Sequence, residues 1–221
     1  MGRGVGKILD NILPGETVLV EYEAYSSPEL FLELLRAYSE QRGKVMLVDD
    51  VVDTFSEYIT RLKLMGFDVD PMLSASVIKI GGSKEVGNVR GRLEVDKYWL
   101  DFKYYDLVYA KTVSEEPALN PVLGIYKLFG LSSEHELIRL IRNIASFVGR
   151  GSRIAYYFIN TNVVDAAAPV MLPFLEEISS SILRWSREGR NYRLEVVKAC
   201  EEEILGESVV MEMRKIKEGV L

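Results

Sequence analysis

The chain has 221 residues, 27% of them charged and 48% hydrophobic, with a net charge of −6 at pH 7. This length suits one domain that buries roughly 70% of its unfolded surface, and the acidic balance excludes broad attraction to nucleic acid, whose phosphates supply most non-specific affinity. A lone cysteine, Cys200, excludes an internal disulfide, no apolar run approaches the roughly 18 residues of a membrane span and no signal peptide is recognisable, so a reducing, cytoplasmic location without membrane contact is expected.

At the start, Val5, Ile8, Leu9, Ile12 and Leu13 recur at helical spacing before Pro14-Gly15. They predict an amphipathic helix within an N-terminal segment, residues 1–14, whose apolar face covers either the chain's own core or a neighbouring subunit and is the expected docking element. Thr17 to Tyr22, compact and rich in β-branched residues, predicts a buried strand. Ser26-Ser27-Pro28-Glu29 reads as a helix start, a serine capping and proline in the first turn, with the helix running to Arg42 and stopping at Gly43. Lys44 to Val48 predicts a second strand closed by Asp49-Asp50, and Val52, Phe55, Ile59, Leu62 and Leu64 a second helix ending at Gly66. Strand, helix, strand, helix with short connections implies parallel strands and right-handed crossovers.

Residues 76–96 read as a hairpin of Ser76 to Ile80 and Val89 to Val95 around glycines 81, 82, 87 and 91. A short helix over Lys97 to Tyr105 then precedes a strand at Leu107 to Ala110. Asn120 to Val148 predicts two helical pieces, broken near Gly130 and recapped by Ser132 or Ser133. Arg153 to Ile159 predicts a buried strand and Asp165 to Arg187 a helix. Tyr192 to Lys198 and Ser208 to Lys215 close the chain as an antiparallel hairpin at one sheet edge. No repeat or long linker divides residues 1–221, so a single domain is expected.

This order of elements resembles the RecA/KaiC-like ATPase core. The stretches that carry the resemblance are Ile12-Leu13-Pro14-Gly15-Glu16-Thr17-Val18-Leu19-Val20, Gly43-Lys44-Val45-Met46-Leu47-Val48-Asp49-Asp50 and Leu64-Met65-Gly66-Phe67-Asp68. The chain looks closest to an archaeal family of unknown function that keeps this core, and its charged composition leans towards a heat-adapted source. The resemblance implies an α/β, RecA/KaiC-like three-layer sandwich with a mainly parallel central sheet. It covers most of the chain but includes no diagnostic catalytic motif.

In active members of the resembled group the first strand leads into Gly-x-x-x-x-Gly-Lys-[Ser/Thr], where backbone N–H groups wrap phosphate and lysine neutralises it. Here that stretch is Glu21-Tyr22-Glu23-Ala24-Tyr25-Ser26-Ser27-Pro28-Glu29, with no glycine and no lysine. Three carboxylates would repel a polyphosphate, each at about 1 kcal/mol in water at 4 Å and several-fold more where water is excluded. Ser26 or Ser27 could hold one magnesium or one anion, but capping is the expected role. The family's magnesium-positioning acid, at the end of the third core strand, should fall at Ala110-Lys111-Thr112, where no acid stands. Asp49 and Asp50 match the acidic pair that activates water in KaiC-like proteins, with Asp53 close by; the plainer reading is a helix cap and solvated neighbours.

The expectation is therefore a non-catalytic binding or regulatory protein without cofactor or metal, binding a protein or peptide through Tyr22, Glu23, Tyr25, Ser26, Ser27, Asp49, Asp50 and Lys111. It self-associates or joins an active ATPase relative. One alternative is an atypical ATPase using Asp49 and Asp50 with ATP and magnesium. Another is a nucleic-acid accessory protein using Arg184, Arg187, Arg190 and Arg193, interleaved with Trp185 and Tyr192. His135 reads as a surface residue, Cys200 as inert beside its glutamates, and Tyr22, Tyr25, Tyr104 and Tyr105 as interface or core padding.

Overall fold

The computed structural model describes residues 4–95, 102–112 and 117–221. α1 (Val5–Asp10) leads into β1 (Thr17–Tyr22), α2 (Glu29–Arg42), β2 (Leu47–Val51), α3 (Thr54–Leu64) and α4 (Asp70–Leu73). β3 (Ser76–Ile80), β4 (Asn88–Leu93), α5 (Phe102–Thr112), β5 (Ala118–Leu123), a 3-10 helix (Ile125–Leu131), α6 (Glu134–Ser146) and β6 (Arg153–Asn160) follow. The last third comprises α7 (Thr161–Ala167), α8 (Met171–Ile178), β7 (Ser181–Glu188), β8 (Asn191–Lys198), β9 (Ser208–Glu212) and α9 (Met213–Lys217).

One nine-stranded sheet runs β4-β3-β2-β5-β6-β1-β7-β8-β9. Its first seven strands are parallel, while β8 and β9 are antiparallel at one edge. β1, β5 and β6 are buried at every position, as strands covered on both faces must be. The alternation of β6 shows the two layers: Phe158 meets Phe31 of α2 and Tyr58 of α3, whereas Arg153 and Tyr157 face Phe147, at the end of α6, and Tyr105 of α5. This is the expected α/β three-layer arrangement.

Pro121 sits in the middle of β5, where proline removes a ladder donor. Leu119 N–H donates to the Val45 carbonyl, and the next donor towards β2 belongs to Pro121 and is missing. The Asn120 side-chain amide fills the place, donating to the Leu47 carbonyl at 2.8 Å. That repair makes a strand of a segment read from sequence as helical.

Other local readings change. Val5, Ile8, Leu9 and Ile12 are buried in the chain's own core, and Tyr38 and Arg42 of α2 bond Asp10, so the 1–14 segment is not a free docking face; of the five apolar residues at helical spacing, Leu13 alone is exposed. β3 and β4 are parallel, not a hairpin: the glycine-rich connection loops back so that Asn88 N–H reaches the Ala75 carbonyl beside the start of β3. The expected helix at 97–105 lies partly outside the described residues, and Leu107 to Ala110, expected as a strand, continues α5. α6 begins where expected, the Glu136 carboxylate accepting from the Ser133 N–H at 2.6 Å. The single helix expected from Asp165 to Arg187 is instead two, α7 ending at Ala167 and α8 at Ile178, where the Lys198 ammonium donates to the Glu176 and Ser179 carbonyls, and β7 begins at Ser181.

Candidate functional site

The carboxyl end of β1 lies between β6 and β7, and from it the chain turns into α2. Ser26 N–H donates to the Glu23 carbonyl at 2.9 Å, and Ser27 adopts a left-handed backbone, φ 50°, at a cost of about 1–2 kcal/mol. Trp185, buried on β7, donates its indole N–H to the Ser26 and Ser27 carbonyls at 2.8 and 3.3 Å. Pro28 has no N–H, and the amides of Leu30, Phe31 and Leu32 close onto Ser27 and Pro28. Three amides at the start of α2 are thus engaged within the chain rather than open to a phosphate.

Neither serine caps the helix, because Pro28 occupies the N-cap position and Ser27 is left-handed. Ser26 is fully buried and its hydroxyl has no partner. Glu29 is buried against Arg61, Nε to Oε2 at 3.1 Å, and Arg61 lies over the Tyr58 ring.

Two clefts flank this turn. One, of about 210 Å³, is bounded by Tyr22, Tyr25, Glu29, Arg61, Tyr126 and Asn160. Tyr22 is buried, its hydroxyl 3.1 Å from that of Tyr58, while Tyr25 is 61% exposed and donates to Glu23. The other, of about 250 Å³, is bounded by Glu21, Glu23, Leu172, Glu176, Arg184 and Trp185. In it the Glu21 carboxyl is pushed up to about 7, chiefly by burial and then by Glu176, against the pull of Arg184. Of the expected binding residues, Tyr22, Glu23, Tyr25, Ser26 and Ser27 therefore share one edge.

Asp49 and Asp50 do not join them. Both are inside β2 rather than beyond it, and both are buried, which corrects the reading of solvated acids. Asp49 accepts from the Tyr105 hydroxyl at 2.6 Å, and that hydroxyl also accepts from Arg153 at 3.1 Å. Arg153 donates further to Asn120 and Tyr157. Burial pushes the Asp49 carboxyl up to about 6 despite Tyr105 and Arg153. Asp50 accepts from Lys79 at 2.7 Å and from Phe55 N–H at 2.8 Å, so it does serve the start of α3. Asp53 also bonds Lys79 and takes the amides of Ser83 and Lys84.

Lys111 lies on α5, whose Tyr109 reaches Ser152 just before β6, at the opposite end of the sheet from the clefts. Tyr104 and Tyr105 belong to the same helix, so they too lie away from the expected edge. The strand between β2 and β6 is β5, not Leu107 to Ala110, and its carboxyl end reads Val122-Leu123-Gly124, again without an acid. Gly124 has φ 81°, and a Cβ there would overlap the Thr54 hydroxyl and lie 2.7 Å from the Val51 carbonyl oxygen. Among the described residues no His, Cys, Asp or Glu group is arranged for a metal. Engaged amides at the start of α2, three acids in the turn and the lack of an acid at the end of β5 do not fit a magnesium polyphosphate.

The arginines lie on β7, β8 and the turn between them, where Arg190 is exposed. Arg184 is on β7 beside Glu21 and Glu195, Arg193 pairs with Glu188, and Arg187 turns to the Gly189 carbonyl. His135 is exposed in the first turn of α6, and exposed Cys200 has its thiol raised by burial and Glu16. Arg61, Tyr126, Asn160 and Glu176 were missed. Only Asn160 had a local signal, a polar residue after a buried strand, and it caps α7 by accepting from Val163 N–H.

A family model described as DUF257, Pyrococcus protein of unknown function, matches residues 7–210, and the chain belongs to this family. A solved structure from Pyrococcus horikoshii OT3 is 37% identical, with a TM-score of 0.84, 95% of this chain and 98% of that one being covered. The flagellar accessory protein FlaH from Methanocaldococcus jannaschii is 12% identical over 93% and 90% of the two chains, TM-score 0.56. A further solved structure, described as an ATPase domain, is 10% identical over 98% of this chain and 89% of that one, TM-score 0.59. FlaH and the ATPase domain share the fold, which is RecA-like. No curated protein sequence matches.

Proposed function

We propose that this member of the DUF257 family works without hydrolysing nucleotide, as a binding or regulatory protein that engages a protein or peptide at the carboxyl edge of its sheet. The observation that carries this reading is the start of α2, where Trp185 holds the Ser26 and Ser27 carbonyls and the amides of Leu30, Phe31 and Leu32 bond back onto Ser27 and Pro28. Asp49 and Asp50, each engaged by internal partners, support it further. Exposed Tyr25 between the two clefts is the natural contact residue, since tyrosine buries much area at an interface while keeping a polar tip. The partner is a second copy of the chain or a protein such as an active ATPase relative.

Calorimetric titration with ATP and magnesium, followed by a phosphate-release assay, tests the non-catalytic half. No saturable heat and no release are expected; hydrolysis that disappears in Asp49→Asn or Asp50→Asn would overturn it. Light scattering and capture from a native extract test the other half. A strictly monomeric protein that captures nothing would remove the partner reading.

A further inference from the structure

Glu21, the last residue but one of β1, has 4% of its surface exposed, yet its Oε1 has no hydrogen-bond partner while the residue lines the cleft of about 250 Å³. An orphaned carboxylate oxygen is among the costlier groups to bury, so its persistence asks for a donor. The cation nearby is insufficient. Arg184 reaches only Oε2, at 3.3 Å, is itself half exposed, and is shared with Glu195 at 3.6 Å. Lys198 of β8 is already committed to the last carbonyls of α8. The charged groups facing the orphan are Glu23 in the turn, Glu176 on α8 and Arg184 on β7, which leaves three carboxylates against one guanidinium.

We propose that this cleft binds the ammonium of a lysine side chain presented by a partner protein, held between Glu21 and Glu176 with its stem along Leu172. The inference rests on the reading that this edge meets a partner, and names the chemistry of the contact. A cleft of about 250 Å³ admits an alkyl chain with a compact head. An ammonium offers three donors from one point, so it can serve Glu21 Oε1 and Glu176 together, whereas a second planar guanidinium would compete with Arg184 for the same side. A metal ion lacks a third ligand among the described residues. Burial and the nearby Glu176 raise the Glu21 carboxyl to about 7, and an ammonium seated beside it favours the ionised form, so binding near pH 7 releases part of a proton to solvent.

The test is titration of the intact protein with Nα-acetyl-lysine N-methylamide at pH 7, by NMR shifts and by calorimetry in two buffers of different ionisation heat. Saturable binding with proton release is expected. The norleucine analogue should not bind, and Glu21→Gln and Glu176→Gln should each weaken binding about tenfold, the loss of one charge-assisted bond. If Glu21→Gln folds poorly by circular dichroism, Glu176→Gln, half-buried on a helix, decides. No saturation, equal binding of norleucine, or unchanged binding in the folded variants overturns the proposal. Lysine binding by a protein that captures no partner upholds the cleft and sinks the partner reading. A captured partner whose affinity ignores Glu176→Gln does the reverse.

Discussion

Two clusters near the carboxyl side of the same sheet each combine two acids with one base, and they behave oppositely. At β2 and β3, Lys79 joins Asp50 and Asp53, with the amides of Phe55, Ser83 and Lys84 completing the set. All four carboxylate oxygens there have donors. At β1 and α8, Glu21 and Glu176 face one cleft with half-exposed Arg184, which reaches Glu21 alone of the two, and Glu21 keeps an orphan oxygen. Equal charge thus gives unequal satisfaction; what distinguishes a structural cluster from a ligand-hungry one is the count of donors. The first cluster also holds strained backbone, since Val52 and Asp53 are both left-handed and Asp53 ties the glycine-rich connection to them.

The largest way to break this contrast is Lys79→Met. It strands two acids, one of them fully buried, and should cost about 3–5 kcal/mol in denaturant unfolding at pH 7. If the variant lost under about 1 kcal/mol, the cluster would not be the structural one described. Glu21→Gln should have the opposite sign. With the folded pKa raised from 4.5 to about 7, the group's favourable contribution is complete below pH 4.5 and is lost as pH rises through 7. The amide should therefore stabilise by about 1–2 kcal/mol at pH 8 and have no such benefit at pH 4. Melting curves at the two pH values read the difference, and destabilisation at pH 8 would refute the orphan.

Asp53→Asn tests the other slope. Burial would raise this acid, but Lys79 and the amides of Ser83 and Lys84 hold it at about 2, so its contribution is present above pH 4 and lost as pH falls through 2. The loss should be about 1 kcal/mol at pH 7, given the side chain's partial exposure, and should fade by pH 2. The smallest effect is expected from Ser26→Ala. A capping serine would lose about 1 kcal/mol, whereas a buried hydroxyl without a partner should be neutral or gain a few tenths in the same unfolding assay.

The elements that were legible in the sequence were those specified locally. β1, α2 and β6 stand out because unbroken apolar runs meet Pro-Gly, Gly43 or a polar stop. β7 was hidden because Ile182, Leu183 and Trp185 can continue a helical spacing from α8, and only the distant Lys198 ends that helix. The turn between β3 and β4 has the same glycines whether the chain reverses or loops back; the choice is made by Asp53, some 30 residues upstream. Within the site, the missing glycine and lysine were plain to read. The closing indole of Trp185 and the facing carboxylate of Glu176 were not, since each comes from more than 150 residues away along the chain.

Gly124 carries a consequence for how such a protein can change. A carboxylate installed at that position would need a left-handed side-chain-bearing residue and would strike Thr54, whose hydroxyl already bonds the Val51 carbonyl. A single substitution toward a metal-binding strand end therefore passes through a variant that has lost packing at α3 before it has gained any chemistry. The end of β5 thus sets a packing and backbone cost on any side chain installed there.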